Sequence, residues 1–242
     1  MEQHLANDST NKRAEEEVGK YPARYNPKDV LHQIDVLRSY WPGLNPDRAV
    51  QYVREVYPAL SVPAWVEAPF AVIRPGFFSN VYEHEIDEVL RAVRLAYAGH
   101  LCDFDDYKRK SIGDVRREAY SATMLQAVAE VQSSDILILP AQFGLQHRGR
   151  SVSDVRGQLD MNEFGLDVCV VGCMLTTHPE RGAVKCDLAV DCPGTENWFD
   201  QKRSFACASN FDFNKGWVWF GNSNTASVHP RFGSATGFVA EH

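Results

Sequence analysis

The densest grouping of reactive side chains is Gln142-Phe143-Gly144-Leu145-Gln146-His147-Arg148-Gly149-Arg150. A short apolar run ending at Pro140 precedes it. Ser151-Val152-Ser153-Asp154 follows, and reads as a helix start capped by Ser151 or Ser153. Gln142, His147, Arg148 and Arg150 would then meet between the end of a strand and the N-terminus of a helix. Free backbone N–H groups and the positive end of a helix dipole attract phosphate or carboxylate. Arginine adds a bidentate fork. The spacing is neither the P-loop nor the dinucleotide fingerprint. The competing expectation is a solvated basic turn whose arginines pair with the protein's own carboxylates, Asp187 or Asp191.

A second grouping is Gly172-Cys173-Met174-Leu175-Thr176-Thr177-His178-Pro179-Glu180-Arg181. Cys173 and His178 could act as a nucleophile and its base, because a nearby imidazole raises the thiolate fraction. With Cys192 they could instead give zinc three soft ligands, His147 being the best fourth. The paired C-x-x-C spacing of structural zinc sites is absent. The simpler expectation is buried thiols that pack as small hydrophobes. Along 184–192 the alternation of strand side chains sets Val184, Cys186, Leu188, Val190 and Cys192 on one apolar face, and Lys185, Asp187 and Asp191 on the other. The C-terminal aromatics Phe205, Phe211, Phe213, Trp217, Trp219, Phe220 and Phe232 read as core, since a base-stacking platform would interleave more cations than Lys215 and Arg231.

These groups need elements to position them. Asn26-Pro27 and Asn45-Pro46 each place a capping residue before a proline suited to the first helical turn. Val30, Leu31, Ile34, Leu37 and Trp41 follow at helical spacing, and Ala49, Val50, Val53 and Val56 form a second stripe. Prolines break up 58–78, leaving one strand at Phe70 to Ile73. Amphipathic helices are predicted near Ile86 to Tyr97 and from Asp114 to Val131. Thereafter the pattern turns to strands: Ile136 to Pro140, Leu166 to Leu175, Val184 to Cys192, and a tight hairpin at Asn214-Lys215-Gly216. Helices first and strands later predict an α+β fold, with a helical N-terminal half and a mixed or antiparallel sheet in the C-terminal half. Residues 1–25 read as a flexible arm. Residues 26–242 read as one domain, helical over 26–132 and strand-rich over 133–242.

The chain has 242 residues, of which 44% are apolar, enough for a sizeable core. The net charge of -7 disfavours general binding to nucleic acid. No apolar run reaches bilayer length and no secretory leader is visible, so the six cysteines are expected to be reduced in a cytoplasmic protein.

Pieces of 136–194 resemble a family of uncharacterised bacterial and phage proteins. They are Pro140-Ala141-Gln142-Phe143-Gly144, His147-Arg148-Gly149-Arg150-Ser151-Val152, Asn162-Glu163-Phe164-Gly165-Leu166, Gly172-Cys173-Met174, Thr177-His178-Pro179-Glu180-Arg181 and Asp191-Cys192-Pro193-Gly194. The resemblance implies a bacterial or phage origin, a shared fold, and one site built from both groupings. It carries no activity. This chain departs from the pattern at Gly182, where a larger apolar residue is expected, and at Thr195, where an acid is expected.

Two functional readings follow, and whether the chain is an enzyme stays open between them. One is an accessory protein that binds a macromolecular partner through the N-terminal arm or the first helices. The other is an enzyme or small-ligand protein acting on an anionic, phosphate-bearing molecule through the two groupings. The first has the edge, because most catalytic constellations leave a clearer trace.

Overall fold

The computed structural model describes residues 20–103, 115–182, 187–199, 204–214 and 216–240, with no side-chain detail at 101–103. In chain order the elements are helices α1 (Val30–Tyr40) and α2 (Asp47–Glu55), strand β1 (Ala68–Ile73), helix α3 (Tyr82–Ala96), strands β2 (Leu101–Asp103) and β3 (Val115–Arg117), and helix α4 (Ala119–Gln132). Strand β4 (Ile136–Gln142), helix α5 (Val152–Arg156), strand β5 (Glu163–Gly165) and helix α6 (Val168–Thr177) follow. The chain closes with β6 (Ala189–Phe199), β7 (Ser204–Asn214), β8 (Trp217–Asn224), β9 (Phe232–Ser234) and β10 (Thr236–Phe238). The fold is α+β, with the helices mostly in the N-terminal half. Among the described residues, no helix is long and apolar enough to cross a membrane.

The strands form two sheets. One has the order β1-β4-β10-β5; the other has β2-β8-β7-β6-β3, with β9 beside β6. Most pairings are antiparallel, while β2–β8 and β6–β9 are parallel. The chain steps between sheets at Ala235, whose N–H donates to Asp191 O and whose carbonyl accepts from Leu166 N–H. At that step Gly144 and Gly233 lie backbone to backbone: a Cβ on Gly233 would sit 2.1 Å from Gly144 O. One continuous set of buried apolar side chains runs from Val30 to Ala235 and draws on both sheets and on α1, α3, α4 and α6.

Two glutamines complete the first sheet's backbone ladder. Ala71 and Ile138 face each other across β1 and β4. On one side Gln33 of α1 donates to Pro69 O (3.1 Å) and accepts from Ala71 N–H (3.0 Å). On the other, Gln132 of α4 donates to Ile138 O and accepts from Ile138 N–H, both at 2.8 Å. Buried backbone groups need such partners, because an unmet one costs about 1–3 kcal/mol.

Several sequence expectations are corrected. Leu166 to Leu175, expected as a strand, is largely the helix α6. Asp167 caps it by accepting from Val170 N–H, and every residue of it is buried. A helix buried on all sides shows the same unbroken apolar run as a buried strand. The helix expected from Asp114 begins at Ala119, where Glu118 caps it, and Val115–Arg117 pairs with β6 as a strand. The first helix starts at Val30 behind the cap Asp29, not at Asn26-Pro27. The expected strand at 184–192 runs Ala189–Phe199, and 183–186, which include Val184, Lys185 and Cys186, lie outside the described residues.

The expected arm also needs a new boundary. Residues 1–19 lie outside the described residues, but Lys20 to Tyr25 pack on the body. Leu188 N–H donates to Lys20 O, Arg24 pairs with Asp187 at 2.9 Å, and the Tyr21 and Tyr25 rings meet the core. Aromatic residues separated by polar ones hid this contact, since three or four residues set no periodicity.

Replacing Gln132 by leucine is expected to lower stability by roughly 2 kcal/mol or more, because it strips both partners from Ile138. Gln126→Leu, on the exposed side of the same helix, should change stability by less than about 0.5 kcal/mol. Urea unfolding midpoints of the two variants check this. Deleting residues 1–25 should lower the thermal midpoint by more than about 5 °C, on the order of 1 kcal/mol or more; a calorimetric scan measures it.

Candidate functional site

The loop after β4 is held by its own polar network. Gln142 is buried and donates its amide to Ser234 O (3.0 Å) and Thr236 Oγ1 (2.8 Å), while its carbonyl accepts from Gly144 N–H. His147 is buried too. Its Nδ1 faces Arg150 Nη1 at 3.2 Å and therefore accepts, so Nε2–H donates to Glu163 Oε1 at 2.8 Å. Glu163 also accepts from Thr236 Oγ1 (2.7 Å) and Asp160 N–H (3.2 Å). Arg150 spends its other nitrogen on Gln158 Oε1 at 2.7 Å. Helix α5 has one turn, and its start already carries the Asp154 carboxylate, which accepts from Ser151 Oγ.

Gln142 and His147 thus face inward as scaffold, and Arg150 braces the same loop. Of the four expected anion ligands, only Arg148 makes no side-chain hydrogen bond with the described residues. Nor do the arginines pair with the carboxylates expected for them: Asp187 takes Arg24, and Asp191 pairs with no cation among the described residues.

Cys173 and His178 also separate. Both belong to the α6 segment, five residues apart, so they project roughly 140° from one another. Burial pushes the Cys173 thiol up to about 12. His178 is fully buried at the helix end. Its Nδ1–H donates to Met174 O (3.2 Å) and its Nε2 accepts from Lys28 N–H (3.0 Å). Its ring packs edge-on to Phe70 at 5.3 Å and Tyr25 at 5.9 Å. Burial lowers its pKa to about 4. A histidine with both nitrogens committed offers neither a base nor a metal ligand. Cys192 lies buried on the core face of β6. Among the described residues, no three His, Cys, Asp or Glu side chains gather in a way that could hold a metal.

The unusual group is Arg181, three residues beyond His178. It is the last residue of the 3-10 turn Pro179–Arg181 that follows α6, and its side chain is wholly buried. The guanidinium carbon lies 4.1 Å from the Tyr21 ring centroid, 5.1 Å from Phe143, and 5.9 Å from both Tyr25 and Phe213. Gly182 is required next to it, since a Cβ there would sit 2.4 Å from the Phe213 ring. Nη1 donates to Leu188 O at 3.1 Å, but Nε and Nη2 have no hydrogen-bond partner among the described residues. Those two N–H groups form the side-on fork that matches a carboxylate edge.

A second buried arginine in the same chain shows what satisfaction looks like. Arg117 presents the same two nitrogens, Nε to Asp167 at 2.5 Å and Nη2 to Glu85 at 2.6 Å, while lying over the Tyr82 ring at 4.3 Å. Arg181 has the aromatic bed without the carboxylates. The neighbouring acids are spoken for. Glu180 pairs with Lys28 and Asp187 with Arg24. Glu67 accepts from Tyr21 OH, Tyr25 OH (3.1 Å) and Phe143 N–H (3.0 Å). Burial lifts the Glu67 carboxyl, and these bonds and the Arg181 charge pull against it. The Tyr97 hydroxyl, buried at the end of α3, also lacks a partner among the described residues, and Arg181 is the charge that acts on it most strongly.

Compared with family models, curated proteins and solved structures, the chain matches none, so function is argued from the site alone. Arg181 stands in a segment that sequence reading singles out, but Tyr21, Glu67, Tyr97 and Phe213 come from four distant places in the chain. The one sequence signal was an arginine six residues beyond the end of the apolar run at Leu175.

The His178 pKa carries a pH forecast. The unfolded imidazole gains a proton below about 6.5 while the folded one resists to about 4. Stability should therefore be complete above pH 6.5 and fall toward pH 4, by up to about 1.4 kcal/mol per unit from this group. His178→Phe should be less stable at pH 7.5, with the Lys28 N–H left unmet, and show a shallower acid limb. Urea melts from pH 7.5 to 4.5 compare the slopes.

Proposed function

We propose that this protein binds a small planar oxyanion, of the carboxylate type, in its interior at Arg181. The single observation that carries the reading is the open side-on fork of a wholly buried guanidinium. A buried charge is normally paired, since desolvation otherwise costs several kcal/mol. Two parallel N–H donors face one edge, the unpartnered Tyr97 hydroxyl lies within the field of the same charge and would add a third donor, and the aromatic rings exclude water around them. The two groupings read from the sequence contribute together: Phe143 from the first lies against Arg181 and His178 from the second. The anionic-ligand reading is kept, and its place moves from Arg148 and Arg150 to Arg181. Binding is favoured over catalysis because Cys173 and His178 are committed to packing and backbone bonds.

Tyr21 and Tyr25 cover the guanidinium, so the segment Lys20 to Tyr25 must lift for an anion to enter. That segment is held by Asp187 and Glu67 through a few polar bonds.

A second reading, a macromolecular partner, is favoured by an apolar groove lined by Tyr52, Leu60, Val131, Pro140 and Val239. Val131 there is 60% exposed. The first helix itself is turned into the core, so α2 and α4 would carry such a contact.

Formate and acetate should raise the thermal midpoint of the full chain saturably, beyond the effect of chloride at equal ionic strength. Arg181→Lys keeps the charge, removes the fork and should abolish the response. Tyr97→Phe removes one donor, leaves packing intact and should weaken binding by about 5- to 30-fold, the range for 1–2 kcal/mol. An equal response in wild type and Arg181→Lys sinks the reading. If Arg181→Lys fails to fold, Tyr97→Phe decides alone.

A further inference from the structure

A second unsatisfied polar group lies on the other side of the larger sheet. Val190 and Cys192 of β6 point into the common core, so Asp191 between them points to the opposite face. Its backbone partners in register are Ser234 on β9 and Asn210 on β7. Residues in register on neighbouring strands project to the same face, roughly 5 Å apart. Ser234, Asp191 and Asn210 therefore stand in a row across three strands, and all three are buried. The loop before α5 and the helix itself cross this region. Gly149 N–H donates to Phe232 O, Ser153 N–H to Thr225 O, and Arg156 Nε to Pro193 O at 2.8 Å.

The row is not saturated. Asp191 Oδ1 and Ser234 Oγ have no hydrogen-bond partner among the described residues, and Asp191 is only 4% exposed. Asn210 gives its amide N–H to Ser223 Oγ at 3.3 Å, so its carbonyl oxygen is the acceptor end that remains. Of the described cations near the row, three are engaged elsewhere, and Arg148 makes no side-chain hydrogen bond with a described residue. Arg231 clasps Asp212, Arg156 binds the carbonyls of Pro193 and Thr195 beside Glu196, and Arg150 braces His147 and Gln158. The remaining acids, Asp154 and Glu163, have their own partners in the loop and on β10. Burial alone perturbs the Asp191 carboxyl.

We propose that Asp191, Ser234 and Asn210 form a binding site for a hard cation with oxygen ligands. Carboxylate, hydroxyl and amide carbonyl are the oxygen types that calcium and sodium take, whereas zinc prefers nitrogen and sulfur. An ionised carboxylate buried without a partner is stabilised by a positive charge, and among the described residues no side chain supplies one. One carboxylate and two neutral oxygens place the site in the weak, millimolar class, with water completing the shell. The bound ion would tie β9, β6 and β7 together beneath the loop that carries Arg148 and Arg150. The site is independent of Arg181, which lies on the core side.

The test uses the full chain, stripped with chelator, at pH 8 and constant ionic strength. Calcium chloride, magnesium chloride and sodium against choline chloride are titrated while the thermal midpoint is followed. Calcium or sodium should raise it saturably by several degrees. Asp191→Asn, which keeps shape and removes charge, should show no cation response whatever its own midpoint. Ser234→Ala should weaken the response at least threefold, and it stands in if Asp191→Asn does not fold. Equal responses in wild type and Asp191→Asn, or no saturable response to any of these ions, would overturn the proposal. So would an infrared band of a protonated carboxyl that is lost in Asp191→Asn and persists in wild type at saturating calcium.

Discussion

The buried guanidinium of Arg181 is the interaction around which the parts of this fold are arranged. Its charge cannot be carried in an apolar core without partners. Tyr21 and Tyr25 come from the N-terminal segment, Phe143 from the loop after β4, and Phe213 from β7. Each offers the negative face of a ring, a modest attraction that strengthens when water is excluded. Behind Tyr21, Glu67 takes the phenol proton's hydrogen bond, so the ring lies between cation and anion. The N-terminal segment, the first sheet and the second sheet therefore share one electrostatic centre.

The contrast with Arg117 explains why one arginine is structural and the other is open. Arg117 sits where β3 passes the N-terminus of α6 and the first turn of α3. Both elements bring a carboxylate, Asp167 as a helix cap and Glu85 as a ligand to Gly76 N–H as well. That cluster fixes three elements relative to one another and leaves nothing to bind. Around Arg181 the acids went to Lys28, Arg24 and two tyrosines, and among the described residues the guanidinium edge stayed free. The difference is one of supply: the same side chain is closed by two carboxylates in one place and left with one carbonyl in the other.

The glutamines play the equivalent part for the backbone. A sheet whose central pair, Ala71 and Ile138, has helices on both flanks cannot use water to satisfy its outward N–H and C=O groups. Gln33 and Gln132 act as single-residue strands. They dock α1 and α4 at fixed heights on the sheet.

The sequence by itself determined the class of the fold and most of its elements. The 3.6-residue stripes of 86–97 and the apolar run before Pro140 depend on local neighbours alone, and the hairpin needs only Gly216 at φ +82° between aromatic strands. It also determined that Val190 and Cys192 are core while Asp191 is not, because strand alternation is local. What only tertiary structure decided was the state of every polar group. Whether Leu166 to Leu175 is helix or strand turned on its burial on all sides, which erases periodicity. Whether Arg150 or Arg181 holds an open fork turned on which acceptors reached them: His147 and Gln158 close Arg150, while the acids near Arg181 are held by Tyr21, Tyr25 and Arg24. Those acids come from residues as far apart as Glu67 and Asp187, and sequence spacing carries no record of such meetings.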